Sequence, residues 1–159
     1  MQIRNIVSYM KKDSRLSTVL HILLHMHFHA EPVTSGQLAQ CAGTNPVVIR
    51  RIMGLLREQQ LVSSIAGPGG GWSLTQKLDD ITLRQLHDAL GEPAIFAIGN
   101  RNEQPECLIE QAVNAALYDA FVEAEALLLA HFGRIRLGDL LADAENRNLK
   151  RALGGKNEI

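Results

Sequence analysis

The stretch Asn45–Leu74, NPVVIRRIMGLLREQQLVSSIAGPGGGWSL, decides how the rest of the chain is read. Asn45 is a good N-cap and Pro46 fits the first helical position, so a helix starts here. Apolar residues at Val48, Ile52, Leu55 and Leu56 give that helix an inward face. At about 100° per residue, Val47, Arg50, Arg51, Gly54, Arg57 and Glu58 fall on the opposite side, with three guanidinium groups among them. A cationic outer face fits the DNA major groove, where arginine can bond two acceptors of guanine or hold a phosphate. Taken alone, the pattern is more simply a solvated surface helix.

The residues that follow shift the balance. Leu61–Ile65 alternates like a strand, Gly67-Pro68-Gly69-Gly70-Gly71 must turn, and Trp72-Ser73-Leu74 reads as the returning strand. Glycines at 69, 70 and 71 would let this backbone approach a phosphate or enter a minor groove. A nucleotide-binding P-loop is excluded, because no Lys-Ser or Lys-Thr follows and no helix begins there. Helix, tight turn, cationic helix and two-stranded wing, in that order, form a winged helix-turn-helix arrangement. The fold class expected is mainly α with a small β-hairpin wing, followed by a long C-terminal dimerisation helix.

The run Val62-Ser63-Ser64-Ile65-Ala66-Gly67-Pro68-Gly69-Gly70-Gly71-Trp72-Ser73-Leu74, with Asp80-Ile81-Thr82-Leu83 after it, resembles the wing signature of the bacterial regulators typified by IscR, NsrR and CymR. The resemblance covers about residues 13 to 145. It implies a homodimeric DNA-binding transcription regulator, a repressor by expectation, on a palindromic double-stranded operator. DNA contacts would come from Asn45, Val47, Arg50, Arg51, Arg57, Ser64, Gly69, Gly70, Gly71 and Trp72. Several relatives carry an arginine just before the wing glycine where this chain has Ala66, so weaker minor-groove readout is expected.

The resemblance also makes a chemical demand. Members with an iron-sulfur cluster draw three cysteines from the loop after the wing domain; here Cys107 alone remains, matching the last of the three. One thiolate falls short of the roughly three or four protein ligands a cluster needs, so no cofactor is expected. Glu110 stands where some members place a histidine, and Arg15 where others use an acid. Cys107 then has three readings: a structural thiol at a helix start, a redox sensor, or part of a pocket for an unknown small-molecule effector. The helix N-terminus favours the thiolate, whereas Glu106 and Glu110 oppose it.

The formal charge of −1 divides unevenly. Residues 1–78 hold eight Lys and Arg against three Asp and Glu, a balance of +5, and residues 79–159 hold eight against fourteen, a balance of −6. A basic front half supplies phosphate attraction, and an acidic rear half keeps off the duplex. Two cysteines, no signal peptide and no long apolar run lead us to expect a cytoplasmic protein without a membrane partner. No paired-carboxylate or nucleophile-base motif suggests an enzyme. The alternative to a DNA regulator is a winged-helix module that docks on an acidic protein.

In chain order, residues 1–12 form an N-terminal extension, 13–91 the winged domain, 92–106 a sensor-type loop, 107–145 the dimerisation helices and 146–159 a polar tail. Ser14 would cap a first helix with Leu16, Val19, Leu20, Leu23, Leu24 and His27 on one face. His21, His25 and His29 form a four-residue ladder on it, but a third ligand on one straight helix lies too far along the axis, so no metal is expected. Ser35 would cap the second helix, in which Cys41 reads as an inert packed thiol, with Gly43 at the corner. After Gly91 the helical pattern dissolves. From Leu108 to Phe132, Ala112, Ala116, Leu117, Ala120, Phe121, Ala124, Leu127 and Leu128 make a stripe too broad for one small domain to cover, and a last helix at Leu137–Leu141 precedes a fraying tail.

Overall fold

The computed structural model describes residues 14–96 and 106–154. The expectations for residues 1–12, for most of the sensor-type loop and for the last five residues lie outside the described residues. In order the elements are α1 (Arg15–Met26), α2 (Ser35–Ala42), α3 (Pro46–Glu58), β1 (Val62–Ile65), β2 (Gly71–Leu74), α4 (Leu83–Ala89), α5 (Leu108–Phe132) and α6 (Leu137–Gly154), with a 3-10 turn at Leu78–Asp80 between β2 and α4. This is the mainly helical, winged architecture read from the sequence.

Helices α1, α2, α3 and α4 enclose an aliphatic core. Val19, Ile22 and Leu23 of α1, Leu38 of α2, Ile49, Ile52, Met53 and Leu56 of α3, and Leu86 of α4 are all essentially inaccessible. The inward face of α3 is therefore not the one expected. Ile49 and Met53 replace Val48 and Leu55, a rotation of about 70° at 100° per residue, because this helix is apolar on more than half its circumference and the neighbours choose the face. His27 is also corrected: it lies beyond the last turn of α1 and is exposed.

The helix ends explain the corner. Ser14 precedes α1 without a side-chain cap bond. For α2 the cap is Thr34 rather than Ser35: its hydroxyl accepts from the Gln37 N–H at 3.3 Å while Gln37 Oε1 accepts from the Thr34 N–H at 2.9 Å. Gly43 closes α2 at φ +61°, a left-handed conformation in which its N–H can reach back to the last carbonyls. Asn45 then caps α3, its Oδ1 accepting from the Val47 N–H at 2.7 Å.

The wing is an antiparallel hairpin with Val62 opposite Leu74 and Ser64 opposite Trp72. Val33, in the α1–α2 connection, adds a bridge to Trp72: each backbone N–H donates to the other's carbonyl, at 2.9 and 2.8 Å. That bridge requires a close approach at Gly71, where a Cβ would lie 2.7 Å from the Val33 carbonyl.

The C-terminal part folds back on the domain. Leu83 N–H donates to Ile135 O and Leu137 N–H to Ile81 O, while the Arg136 guanidinium donates to Asp79 O at 2.6 Å and Leu137 is fully buried. Helix α6 runs on to Gly154 where a short helix and frayed tail were expected; residues 142–153 contain no glycine or proline, and Arg147 pairs with Asp143 at 2.6 Å, one turn away. Helix α5, about 37 Å long at 1.5 Å per residue, buries none of its 25 residues fully. The expected stripe splits: Phe121 and Leu128 are half-buried, with Phe121 against Phe96 at 5.9 Å, but Ala112, Ala116, Leu117, Ala120, Ala124 and Leu127 face solvent.

Candidate nucleic-acid interface

The rotation of α3 has a direct effect on its cations. Arg50 and Arg57 swing toward the wing, and both line an open cleft of about 430 Å³ with Thr34, Ser35 and Gly36 at the start of α2 and Ser64, Ile65 and Ala66 on β1 and beyond it. Arg51, on the other flank of the exposed face, does not. Val47, Arg50, Arg51 and Arg57 are all exposed, as are Asn45 and Ser64. Among the described residues, Arg50 and Arg51 enter none of the ion pairs, whereas Arg84 is paired to Asp88 and Arg147 to Asp143. Guanidinium groups not already neutralised are available to an anionic ligand.

Arg57 is held in place. Its Nη1 donates to Ser64 Oγ at 3.2 Å, and its guanidinium carbon stands 6.0 Å from the centre of the Trp72 ring. Trp72 is itself buried at 9% exposure, and its indole N–H donates to Ser35 Oγ at 2.9 Å. One aromatic ring thus joins the start of α2, the end of α3 and the wing. Because Thr34 caps α2, the Ser35 hydroxyl is left to serve the tryptophan.

The wing glycines divide into two roles. Gly67 and Gly69 take φ +90° and +73° at an exposed tip with Pro68. Gly70 and Gly71 are half-buried and their missing side chains make room for backbone: a Cβ on Gly70 would strike the carbonyls of Ile65 and Gly67. The exposed tip is therefore Gly67-Pro68-Gly69.

Sequence reasoning missed Thr34, Ser35 and Gly36. The backbone N–H groups that open a helix form a natural anion site, and the Thr34-Ser35 pair followed by Gln37 was the available signal. It also missed His87, a buried histidine whose Nε2 lies 3.0 Å from the Pro93 carbonyl, pinning the chain where it leaves α4.

Cys107 stands apart from the cleft. It is exposed at the N-cap of α5, and its thiol is held below the ordinary range by the backbone N–H of Glu110 and then that of Ile109, against a small opposing effect of desolvation. Glu110 thus acts here through its amide, favouring the thiolate that its carboxylate was expected to oppose.

A helical core with a capped corner, an exposed cationic α3 and a hairpin wing defines a winged helix-turn-helix protein of the DNA-binding type. Comparison with known proteins gives the family. The Rrf2 family, described as an iron-dependent transcriptional regulator, matches residues 12–143. The HTH-type regulator YwnA of Bacillus subtilis is 29% identical over 130 residues, 81% of this chain and 96% of YwnA. A crystal structure of a transcriptional regulator from Lactobacillus plantarum superposes with a TM-score of 0.73 at 26% identity, over 91% of this chain and 99% of that one. CymR, the global cysteine regulator of B. subtilis, shares the fold with a TM-score of 0.59 at 20% identity, over 84% of this chain and 97% of CymR. The chain belongs to the Rrf2 family: it is a DNA-binding transcription regulator and not an enzyme.

The iron in the family description finds no matching donor set of the cluster type. The chain has two cysteines, Cys41 in α2 and Cys107 at α5, and residues 97–105 contain neither Cys nor His. The Cys107 segment therefore offers one thiolate where a cluster requires roughly three or four protein ligands.

Proposed function

We propose that this regulator is a homodimeric repressor that reads a roughly palindromic operator with α3 in the major groove of each half-site and the wing tip at the adjacent minor groove. The observation that carries the reading is the convergence of Arg50, Arg57, Ser64 and the first amides of α2 on one open cleft. In it Arg50 takes base edges. Arg57, steadied by Ser64 and Trp72, takes a phosphate with the Ser35 and Gly36 amides, and Arg51, Val47 and Asn45 make flanking contacts. Gly69 contacts the minor groove through its backbone; Gly70 and Gly71 shape the hairpin. Trp72 acts as a positioning residue, because its ring is covered and its N–H is already used. Ala66 beside the tip supplies no cation for a narrow groove, so the α3 contacts carry most of the sequence preference.

The dimer is supported by α5. Ile109, Val113, Ala116, Leu117, Ala120, Ala124 and Leu127 fall within an arc of about 100° that contains no charged residue, and Ile109, Val113, Leu117 and Leu127 are 76, 50, 40 and 72% exposed. An apolar face of this length favours burial against a second copy, as the resemblance implies. Two crossed α5 helices would set the half-sites one or two helical turns apart and hold the acidic rear half away from the duplex. The signal acts through Cys107 or through a small molecule at the segment it opens. Exposure and the lowered thiol pKa support the redox form, and the protein works in the cytoplasm, where its operator lies.

Selection of DNA fragments from random sequence tests the reading. The wild-type protein should enrich an inverted repeat. Arg50→Ala should lose preference at one position per half-site, costing about 1–3 kcal/mol there, and Arg57→Ala should weaken all sequences alike and lower the salt slope by about one. No enriched motif from folded wild-type protein would replace the DNA reading with the protein-docking one.

A further inference from the structure

We propose that His21, His25 and Cys41 form a metal site for a zinc-class ion that ties α1 to the end of α2. The expectation of no metal rested on the geometry of a single helix: His21 and His25 are one turn apart, but a third histidine at position 29 lies too far along. The fold supplies the third donor from elsewhere. Cys41, the penultimate residue of α2, is exposed rather than packed, and its Sγ stands 3.5 Å from His21 Nε2. His29 falls beyond the end of α1 and takes no part.

The distances suit a shared ion. The three donor atoms lie within 4.8 Å of one another, and the two imidazole rings are 4.5 Å apart at 52°. With Zn–S about 2.3 Å and Zn–N about 2.0–2.1 Å, a tetrahedral centre places sulfur and nitrogen about 3.6 Å apart. The Cys41–His21 separation is already at that value, so only His25 must close in by a rotamer adjustment. All three residues are solvent-accessible, which leaves an entry path and a fourth position for water. One thiolate and two imidazoles select zinc, or cobalt as its spectroscopic substitute, over magnesium or calcium, and hold ferrous iron more weakly.

The site does not depend on the DNA reading. Cys41 is two residues before the Gly43 corner from which α3 departs, so a bound ion fixes the register of the two helices that support the cationic one. A thiol–imidazole hydrogen bond without metal is the competing account of the same contact.

Titration of the metal-stripped full-length protein with Co²⁺, followed by absorption, separates the two. The site predicts one ion per chain, a near-ultraviolet thiolate-to-cobalt charge-transfer band, the intense visible bands of tetrahedral cobalt, and loss of all of them on adding Zn²⁺. Cys107→Ser should keep the spectrum and Cys41→Ser abolish the charge transfer. His25→Gln and His21→Gln should each weaken cobalt by more than the roughly tenfold minimum seen on removing an outer-shell partner. Helical circular dichroism establishes that each variant is folded, and the histidine variants decide the matter should Cys41→Ser fail to fold. The proposal is overturned if wild-type protein gives no charge-transfer band, if the band follows Cys107, or if neither histidine variant changes the affinity.

Discussion

Replacing Trp72 by Phe distinguishes a residue that positions the reading surface from one that touches DNA. The substitution keeps the backbone bridge to Val33 and most of the apolar contact, because the bridge uses main-chain groups only. It deletes the indole N–H that donates to Ser35 Oγ at 2.9 Å, worth about 1 kcal/mol, and leaves a small void from the lost ring, worth about another 1 kcal/mol. Ser35 is half-buried and can reach water, so it adds no further penalty. The expected loss is about 2 kcal/mol, against about 3–5 kcal/mol for Trp72→Ala. Urea unfolding reads the stability, and fluorescence anisotropy with an operator duplex reads the affinity of the folded protein. Affinity of Trp72→Phe should stay within about threefold of wild type while Arg50→Ala falls at least about fivefold. An affinity loss for Trp72→Phe matching that of Arg50→Ala, at unchanged stability, would refute the positioning role and make the ring a direct contact.

A packed wing glycine and an open helix glycine should respond in opposite directions. Gly71→Ala drives a Cβ into the Val33 carbonyl and should lower stability by at least about 2 kcal/mol, whereas Gly54→Ala, with nothing within 4 Å in mid-helix, should raise it by about 0.5–1 kcal/mol in the same urea titration. Thr82→Ala removes the capping box that starts α4, where the hydroxyl accepts from Gln85 N–H at 3.2 Å, and should cost about 1 kcal/mol. The Cys107 thiol should alkylate with a half-maximal rate at lower pH in the folded protein than in urea. Its folded pKa is lowered, so the thiolate persists as pH falls; mass spectrometry of the labelled peptide reads the profile. Leu117→Glu on the exposed face of α5 should convert dimer to monomer in sedimentation while leaving the melting of the winged domain unchanged within about 0.5 kcal/mol.

Much of this was legible in the chain because local chemistry fixed it. Asn45-Pro46 and the glycine corner at Gly43 set where α3 and α2 begin and end, and the alternation around Gly67–Gly71 set the hairpin. Facing was less legible. Helix α3 carries Val47, Val48, Ile49, Ile52, Met53, Leu55 and Leu56, so its period alone admits several inward faces, and only packing on α2 and the wing selects Ile49 and Met53. The cleft inherits that ambiguity: which arginines face the wing depends on the rotation. Trp72 reads equally well as a wing contact or a core residue until Val33 and Ser35 are brought against it. Cys41 was misjudged for the same reason, since its neighbour His21 lies twenty residues away and meets it only when α1 crosses α2.

The central claim, that two copies read DNA together through α3 and the wing, is tested most directly by the spacing of half-sites. Operator duplexes are compared in which the two halves are moved apart by about 5 and about 10 base pairs, half a turn and a full turn. Paired reading heads on a shared α5 axis predict that the half-turn insertion, which puts the second half-site on the opposite face of the duplex, reduces affinity to that of a single half-site. The full-turn insertion should recover part of it. Equal affinity for all three duplexes would contradict the account.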